Sequence, residues 1–317
     1  MNKILVTGAT GFIGSAVVRR LLTQDEFHAV AVAVRKDGLH WPEGIKQEIV
    51  GDLDAFTDWS NAVRDISVVV HCAARAHLLV ETSGSPLNEF RRVNALGSLN
   101  LARQAAASGV QRFLFVSSIG VNGAETFQQP FTDRDPVAPH SSYAVSKYEA
   151  ELGLQALAAE TGMELVIIRP PLVYGPQAPG NFGSLMRWLQ RGVPLPLGAI
   201  HNRRSLVALD NLVDLIVTCL THPAAANQTF LVSDGEDVST TDLLRRMGNA
   251  MNCPARLLPV PAGWLEQAAA LLDKRDMAQR LCRSLQVDIK KTRSLLSWQP
   301  PLTLDEGLKR AAEGLVR

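Results

Sequence analysis

Three evenly spaced glycines, Gly8, Gly11 and Gly14, lie between an apolar run and an amphipathic one, and no other feature narrows the fold as far. Residues 3–7 (Lys-Ile-Leu-Val-Thr) read as a short buried strand. Residues 13–24 read as a helix, with Ile13, Val17, Val18, Leu21 and Leu22 on one stripe. A strand that turns straight into a helix needs glycine where the backbone bends and where it approaches a ligand closely. The helix start then offers free N–H groups and a positive dipole end, which suit a pyrophosphate. Glycine runs also make plain turns, so the context of strand before and helix after carries the reading. Thr7, Gly8, Thr10, Gly11, Phe12, Ile13 and Gly14 are the candidate cradle for a dinucleotide.

The next strand is expected from His28 to Val34. An acidic residue past its end would bind the 2′-hydroxyl of an NAD ribose. Arg35-Lys36 stands there instead, and a guanidinium suits a 2′-phosphate. NADP(H) is therefore favoured, with NAD kept open by Asp37. Asp52, in Gly51-Asp52-Leu53 after a third strand (46–50), either accepts from an adenine amino group or caps the following segment. A fourth strand (67–71) runs into Cys72-Ala73-Ala74, small residues that let the backbone lie against a cofactor. His71 reads as a packed strand-end residue.

Residues 112–117 read as a fifth buried strand, leaving Ser117 and Ser118 at its C-terminal end. Open α/β sheets place their ligands there. Residues 141–161 read as a helix, on which Tyr143 and Lys147, four apart, face the same way. A free phenol titrates at about 10, too high for easy proton exchange at neutral pH. A neighbouring ammonium favours the phenolate and is expected to lower that value. Tyr143 is thus the candidate general acid or base, Lys147 its tuning cation and a holder of the nicotinamide ribose, and Ser118 the group that orients the reacting oxygen. Tyr-x-x-x-Lys is common by chance; its place after a fifth strand and downstream of the glycines makes it specific here. Asn94 falls inside an expected helix (86–108), where Asn is a poor former. It either serves a proton relay through a water or carbonyl, or marks a kink with a satisfied amide.

With these residues in view, the chain resembles the extended branch of the short-chain dehydrogenase/reductase superfamily over nearly its whole length. The resemblance also takes in Arg169-Pro170-Pro171-Leu172-Val173-Tyr174-Gly175-Pro176, which looks like the family's loop beside the nicotinamide. It implies cofactor contacts from Pro170 and Val173, and a nucleotide-sugar enzyme: a 4-epimerase, a 4,6-dehydratase or a ketoreductase. More narrowly, the chain resembles UDP-glucose 4-epimerase-like proteins and UDP-4-keto-6-deoxy-N-acetylhexosamine 4-reductases of O-antigen and capsule pathways. By that resemblance Arg204, then Arg203, would contact the substrate diphosphate, as would Asn181 from a helix start. Ile119 and Gly120 follow Ser118 where the dehydratases carry an acidic pair, which speaks against dehydration. Pro170-Pro171-Leu172 replaces the Tyr-Phe-Asn of well-known epimerases. The expected function is NADPH-dependent reduction at C4 of a UDP-4-keto sugar for surface polysaccharide synthesis. The alternative is a 4-epimerase with tightly bound NAD. A non-catalytic NAD(P)-sensing protein ranks third, because such proteins often lose the Tyr or Lys present here.

Strands alternate with helices through residue 169, which predicts an α/β fold with a Rossmann-like doubly wound parallel sheet. Residues 1–175 are expected to bind the cofactor. Residues 176–317 would form mainly a smaller substrate lobe, with 205–222 returning to the cofactor-binding domain. Helices are expected at 182–191, 210–222, 239–252, 262–273 and 304–315, and 124–139 as a polar loop near the substrate. The net charge of +1 gives no reason to expect nucleic acid. Cysteines 72, 219, 253 and 282 show neither metal nor disulfide spacing, which suits a reducing cytoplasm. No apolar run reaches membrane-spanning length. Residues 257–272, the most apolar stretch of the second half, read as a packed helix, with loose membrane association the lesser reading. Homodimerisation through the 86–108 and 141–161 helices is implied by the resemblance alone.

Overall fold

The computed structural model describes residues 3–24, 29–38, 40–76, 86–271 and 275–314. Its elements run β1 (Lys3–Thr7), α1 (Phe12–Leu21), β2 (Ala29–Val34), β3 (Ile45–Ile49), β4 (Val68–His71), α2 (Pro86–Phe90), α3 (Ser98–Ala107), β5 (Arg112–Val116), α4 (Ser142–Thr161) and β6 (Glu164–Arg169). After the sixth strand come β7 (Leu172–Tyr174), α5 (Gly180–Gln190), β8 (Arg204–Ala208), α6 (Leu209–Thr221), β9 (Gln228–Leu231), β10 (Asp237–Val238) and α7 (Thr240–Ala250). The chain closes with α8 (Ala262–Leu271), α9 (Arg275–Cys282), α10 (Lys290–Leu296) and α11 (Leu304–Glu313).

Among the described residues one seven-stranded sheet has the order β3-β2-β1-β4-β5-β6-β9, every pair parallel. The order reverses at β1, which lies between β2 and β4, and α/β sheets bind ligands at such a switch point. Both faces are covered, which is why the strands read as unbroken apolar runs. Ile4, Val6, Leu114 and Ile168 face α1 and α6, while Leu5, Phe113, Phe115 and Ile167 face α3 and α4. A three-stranded sheet, β10-β8-β7, sits over a third core of Tyr174, Phe182, Leu244 and Leu308.

Several expectations change. The helix expected over 86–108 is α2 and α3 joined by a π-helical stretch, Arg91–Gly97, with Asn94 in its wide turn. Residues 172–174, read as part of a loop, form β7 and pair with β8. The expected loop 124–139 is pinned by backbone bonds from Thr126 to Ser284 and from Phe131 to Gln286. α8 packs against the third core through Ala262 and Leu265, as its composition implies, but none of its residues is fully buried. His28 and residues 272, 273 and 315, all expected within elements, lie outside the described residues.

Candidate active site

The turn from β1 to α1 closes tightly. Gly8 has φ +67°, and a Cβ there would stand 2.6 Å from the Ala73 amide nitrogen. A Cβ on Gly14 would stand 2.2 Å from the Gly8 carbonyl oxygen. Only glycine fits either place, so the turn lies directly against Cys72 and Ala73 at the end of β4. Gly11 is the N-cap of α1 and supplies no side-chain cap. The amides of Phe12, Ile13 and Gly14 therefore have no protein acceptor among the described residues. Such a helix start suits a pyrophosphate, and these residues fit the dinucleotide the sequence implies. Thr10, Gly11 and Phe12 also edge a groove of about 790 Å³ along α1 and α6, which contains neither Tyr143 nor Arg204.

Thr7 and His71 close the floor of the turn. The Ser98 hydroxyl donates to the Asn94 carbonyl (2.6 Å), so His71 Nε2, 2.8 Å from Ser98 Oγ, carries the proton and donates. His71 Nδ1 then accepts from the Thr7 hydroxyl (2.6 Å). Burial pushes this imidazole down to about 3, so it stays neutral, as a packed histidine should. At the far end of β2, Arg35 and Asp52 are both exposed, with Nη1 and Oδ1 4.0 Å apart. Asp37, the candidate NAD reader, is already engaged by the Gly38 amide (2.8 Å) and Gln47 Nε2 (2.9 Å), which hold its carboxyl below the usual range. Leu53 packs beneath Gly97 of the π-helical turn. Ala74 is exposed beyond Ala73.

Ser118 follows β5, and its Oγ accepts from the Gly120 amide (3.1 Å). A Cβ on Gly120 would stand 3.4 Å from both Ser118 Oγ and Ala144 Cβ, so the first turn of α4 sits against Ser118. Ser141 caps that helix by accepting from the Ala144 amide (3.2 Å). Tyr143 lies in this first turn, partly exposed, with its ring edge-on to Phe90. One turn on, Lys147 is buried, its Nζ 4.0 Å above the Phe115 ring and without a hydrogen bond among the described residues. Burial pushes its ammonium down to about 7, against the nearby Glu151 carboxylate, which favours protonation. Burial pushes the Tyr143 phenol up to about 12. The expected lowering of Tyr143 by Lys147 is therefore corrected: burial is the cause of the shift, and it is upward.

Asn94 matches the second of its two readings, a break in the α-helix with a satisfied amide. Its Oδ1 accepts from the Arg75 amide (2.8 Å), and its Nδ2 donates to the Arg75 carbonyl (3.0 Å) and to Ser146 Oγ (3.0 Å). It thereby ties the segment after β4 to the turn of α4 beside Lys147.

A closed charge network backs this face. Glu151, one turn beyond Lys147, accepts from Arg169 Nε (3.0 Å), from Arg169 Nη2 and from the Ser117 hydroxyl. Arg169 Nη1 donates to Asn122 Oδ1 (2.9 Å), whose Nδ2 donates to the Thr132 carbonyl (2.9 Å). Ser117, expected at the cofactor, is thus corrected: its side chain points into the core and is held by Glu151. Pro170 is buried, its carbonyl accepting from the Ile119 amide (3.0 Å), and Val173 is half-buried in β7.

An open charge cluster lies at the start of β8. Arg204 donates through Nη1 to the Arg283 carbonyl (3.1 Å), and burial together with Arg280 pushes its guanidinium down to about 10. Arg203 is exposed beside it. Among the described residues Arg203, Arg204 and Arg280 have no acidic partner, while Arg283 pairs with Glu125 and Glu266. Such a cluster favours a bound anion. Asn181 is exposed in the first turn of α5, and no hydrogen bond joins it to the arginines.

Reading the sequence missed Glu151, Arg169, Asn122, Arg280 and Arg283 as members of these clusters. Glu151 had a signal, since it extends the Tyr143–Lys147 spacing by four on one helix face. Arg280 and Arg283 had none, because only the fold brings α9 to β8.

Comparison with known proteins agrees with this geometry. The chain is 48% identical over 321 residues to a UDP-glucose 4-epimerase of Vibrio cholerae, covering 100% of this chain and 96% of the relative. It is 26% identical to an N-acetyl-alpha-D-glucosaminyl-diphospho-ditrans,octacis-undecaprenol 4-epimerase of Escherichia coli O157:H7, covering 98% and 95%. The solved structure of MoeE5 in complex with UDP-glucose and NAD superposes with a TM-score of 0.78 at 26% identity, over 100% of this chain and 99% of that one. The NAD dependent epimerase/dehydratase family matches residues 4–233. With the glycine turn, the Tyr143–Lys147 helix and the seven-stranded sheet in place, this chain is an enzyme of the NAD dependent epimerase/dehydratase family, within the extended short-chain dehydrogenase/reductases.

Proposed function

We propose that this enzyme is a 4-epimerase of a hexose carried on a diphosphate, with a UDP-hexose as its first substrate class. The 48% identity to a UDP-glucose 4-epimerase along the whole chain carries this reading, and moves it away from the 4-ketoreductase expected from Arg35 and the Pro170-Pro171-Leu172 run. NAD is the better supported cofactor, through the NAD-bound structure of MoeE5. It would be held by Thr7–Gly14 at the pyrophosphate, by Asp52, Leu53 and Arg35 toward the adenosine, and by Cys72–Ala74, Lys147, Pro170 and Val173 toward the nicotinamide. When bound it supplies the hydride acceptor and donor for C4. Residues 1–175 would hold this cofactor and the later lobe the sugar.

The protein's own part is proton handling and positioning. Tyr143, as the phenolate, would take the C4 hydroxyl proton as the hydride leaves C4, and return it to the same oxygen when the hydride comes back to the other face. Burial holds the phenol up at about 12, so its own proton must first leave to solvent, which the Lys147 cation and the charge of bound oxidised nicotinamide would favour. Ser118 hydrogen-bonds the C4 oxygen. Arg204, Arg203 and Asn181 hold the diphosphate, so that the sugar alone rotates. A homodimer through α3 and α4 fits the exposed Leu96 and Leu152 beside them.

The test is incubation of purified enzyme with UDP-glucose and with UDP-N-acetylglucosamine, without added nucleotide. Appearance of the C4 epimer supports the reading. Stoichiometric NADPH consumption with a UDP-4-keto-6-deoxy sugar, and no epimer, replaces it with the reductase, which the exposed Arg35 guanidinium favours. In the Tyr143→Phe variant turnover is expected to fall by about 10²–10⁴ with the melting temperature unchanged.

A further inference from the structure

We propose that α8 and the ribbon beside it form a docking face for an anionic lipid bilayer. On α8, Trp264 and Leu271 are 71% and 89% exposed. They lie seven residues apart, two turns along one face, and Ala268 is exposed between them. The opposite side, through Ala262 and Leu265, packs against the third core. The apolar surface continues off the helix. Residues 256–258 pair with Leu195, which leaves Leu258 outward, and Val193 bonds back to Trp188, both of them exposed. Two large apolar side chains standing this far out on one helix face, with Leu258 exposed beside them, call for a partner.

Charge selects the partner. Arg191 and Arg256 are exposed on this ribbon, and a Cβ on Gly192 would stand 4.0 Å from the Arg256 guanidinium carbon. Neither arginine has an acidic partner among the described residues, and the one carboxylate of α8, Glu266, is taken up by Arg283 (3.8 Å). A second copy of this face would oppose arginine to arginine. Anionic headgroups complement it, with tryptophan at the interface and arginine above it. No helix among the described residues is long and apolar enough to cross a membrane, so the contact is peripheral. Through Glu266–Arg283 the face adjoins the open arginine cluster, which would then open beside the bilayer.

The experiment is co-sedimentation of the full chain with vesicles of about equal phosphatidylglycerol and phosphatidylcholine, compared with phosphatidylcholine alone. Binding to the anionic vesicles is expected, weakening as salt rises. A Trp264→Ser/Leu271→Ser double variant and an Arg191→Glu/Arg256→Glu double variant should each lose about tenfold in affinity or more. Both should keep the wild-type melting temperature and turnover of a soluble substrate, because neither pair touches the site. The proposal is overturned if the wild type stays in the supernatant, if it binds neutral vesicles equally, or if the variants bind as well as it does. It is also overturned if sedimentation velocity without lipid shows self-association that the Trp264→Ser/Leu271→Ser variant abolishes, since a second copy then occupies the face. None of these outcomes depends on which sugar is turned over.

Discussion

Two charge clusters serve this protein in opposite ways. At Glu151–Arg169 every charged atom meets a partner inside the fold: Ser117, Asn122 and the pair itself. At Arg203, Arg204 and Arg280 guanidinium groups gather with no carboxylate among the described residues. Buried charge is tolerated only when paired and hydrogen-bonded, so the first cluster is part of the core. Like charges held together raise their own free energy, and an anion relieves it, so the second is a place for a ligand. What separates them is which partners the fold withholds, since arginine appears in both.

The difference can be broken most forcefully at Glu151. Its replacement by Ala leaves Arg169 charged and unpaired, with an expected loss of about 3–5 kcal/mol of stability. Urea unfolding measures it, and a variant as stable as wild type would make the network ornamental. At Arg204 the opposite is expected: Arg204→Ala should leave the unfolding midpoint where it is and raise KM for a UDP-sugar about 10–100-fold, the worth of a charge-assisted bond. A fall in stability with unchanged KM would reverse the assignment of the two clusters.

Lys147 lies one turn from Glu151, and its effect is smaller. Its folded value, about 7, is depressed from 10.5. Between those values the unfolded chain binds a proton that the folded chain does not, so stability from this group rises with pH through that window. Nucleotide-free protein should melt higher at pH 9 than at pH 7 by an increment that the Lys147→Met variant lacks. Glu151 favours the charged lysine, so Glu151→Gln should lower the Lys147 value further and move the activity optimum toward acid. An unmoved pH profile would mean that Glu151 acts on the fold alone. The smallest effect is at Arg35, whose exposed contact with Asp52 is worth under about 1 kcal/mol. Arg35→Ser should leave stability unchanged and lower NADP affinity more than NAD affinity, as isothermal titration would show.

Local patterns made much of this legible. The glycine turn needed only a strand, three small residues and a helix within the first fifteen positions. Tyr143, Lys147 and Glu151 share a helix face by spacing alone. The parallel sheet announced itself because both of its faces are covered and its strands carry apolar residues at consecutive positions. The later half was harder. β7, β9 and β10 have two to four residues each, too few to show a period. Apolar composition showed that α8 packs but not how shallowly, because the depth of burial is settled by what lies against a helix and not by the helix itself.

By itself, then, the sequence determined the doubly wound sheet, the glycine cradle and the Tyr143–Lys147 pair, since each is written in neighbours close along the chain. The tertiary structure decided which charges close on one another and which stay open, and how far burial moves the phenol and the ammonium. Those outcomes depend on groups tens to more than a hundred residues apart, such as Ser117 with Glu151 or Arg283 with Glu125. Desolvation and pairing are properties of a place in the fold, and no residue carries them along the chain.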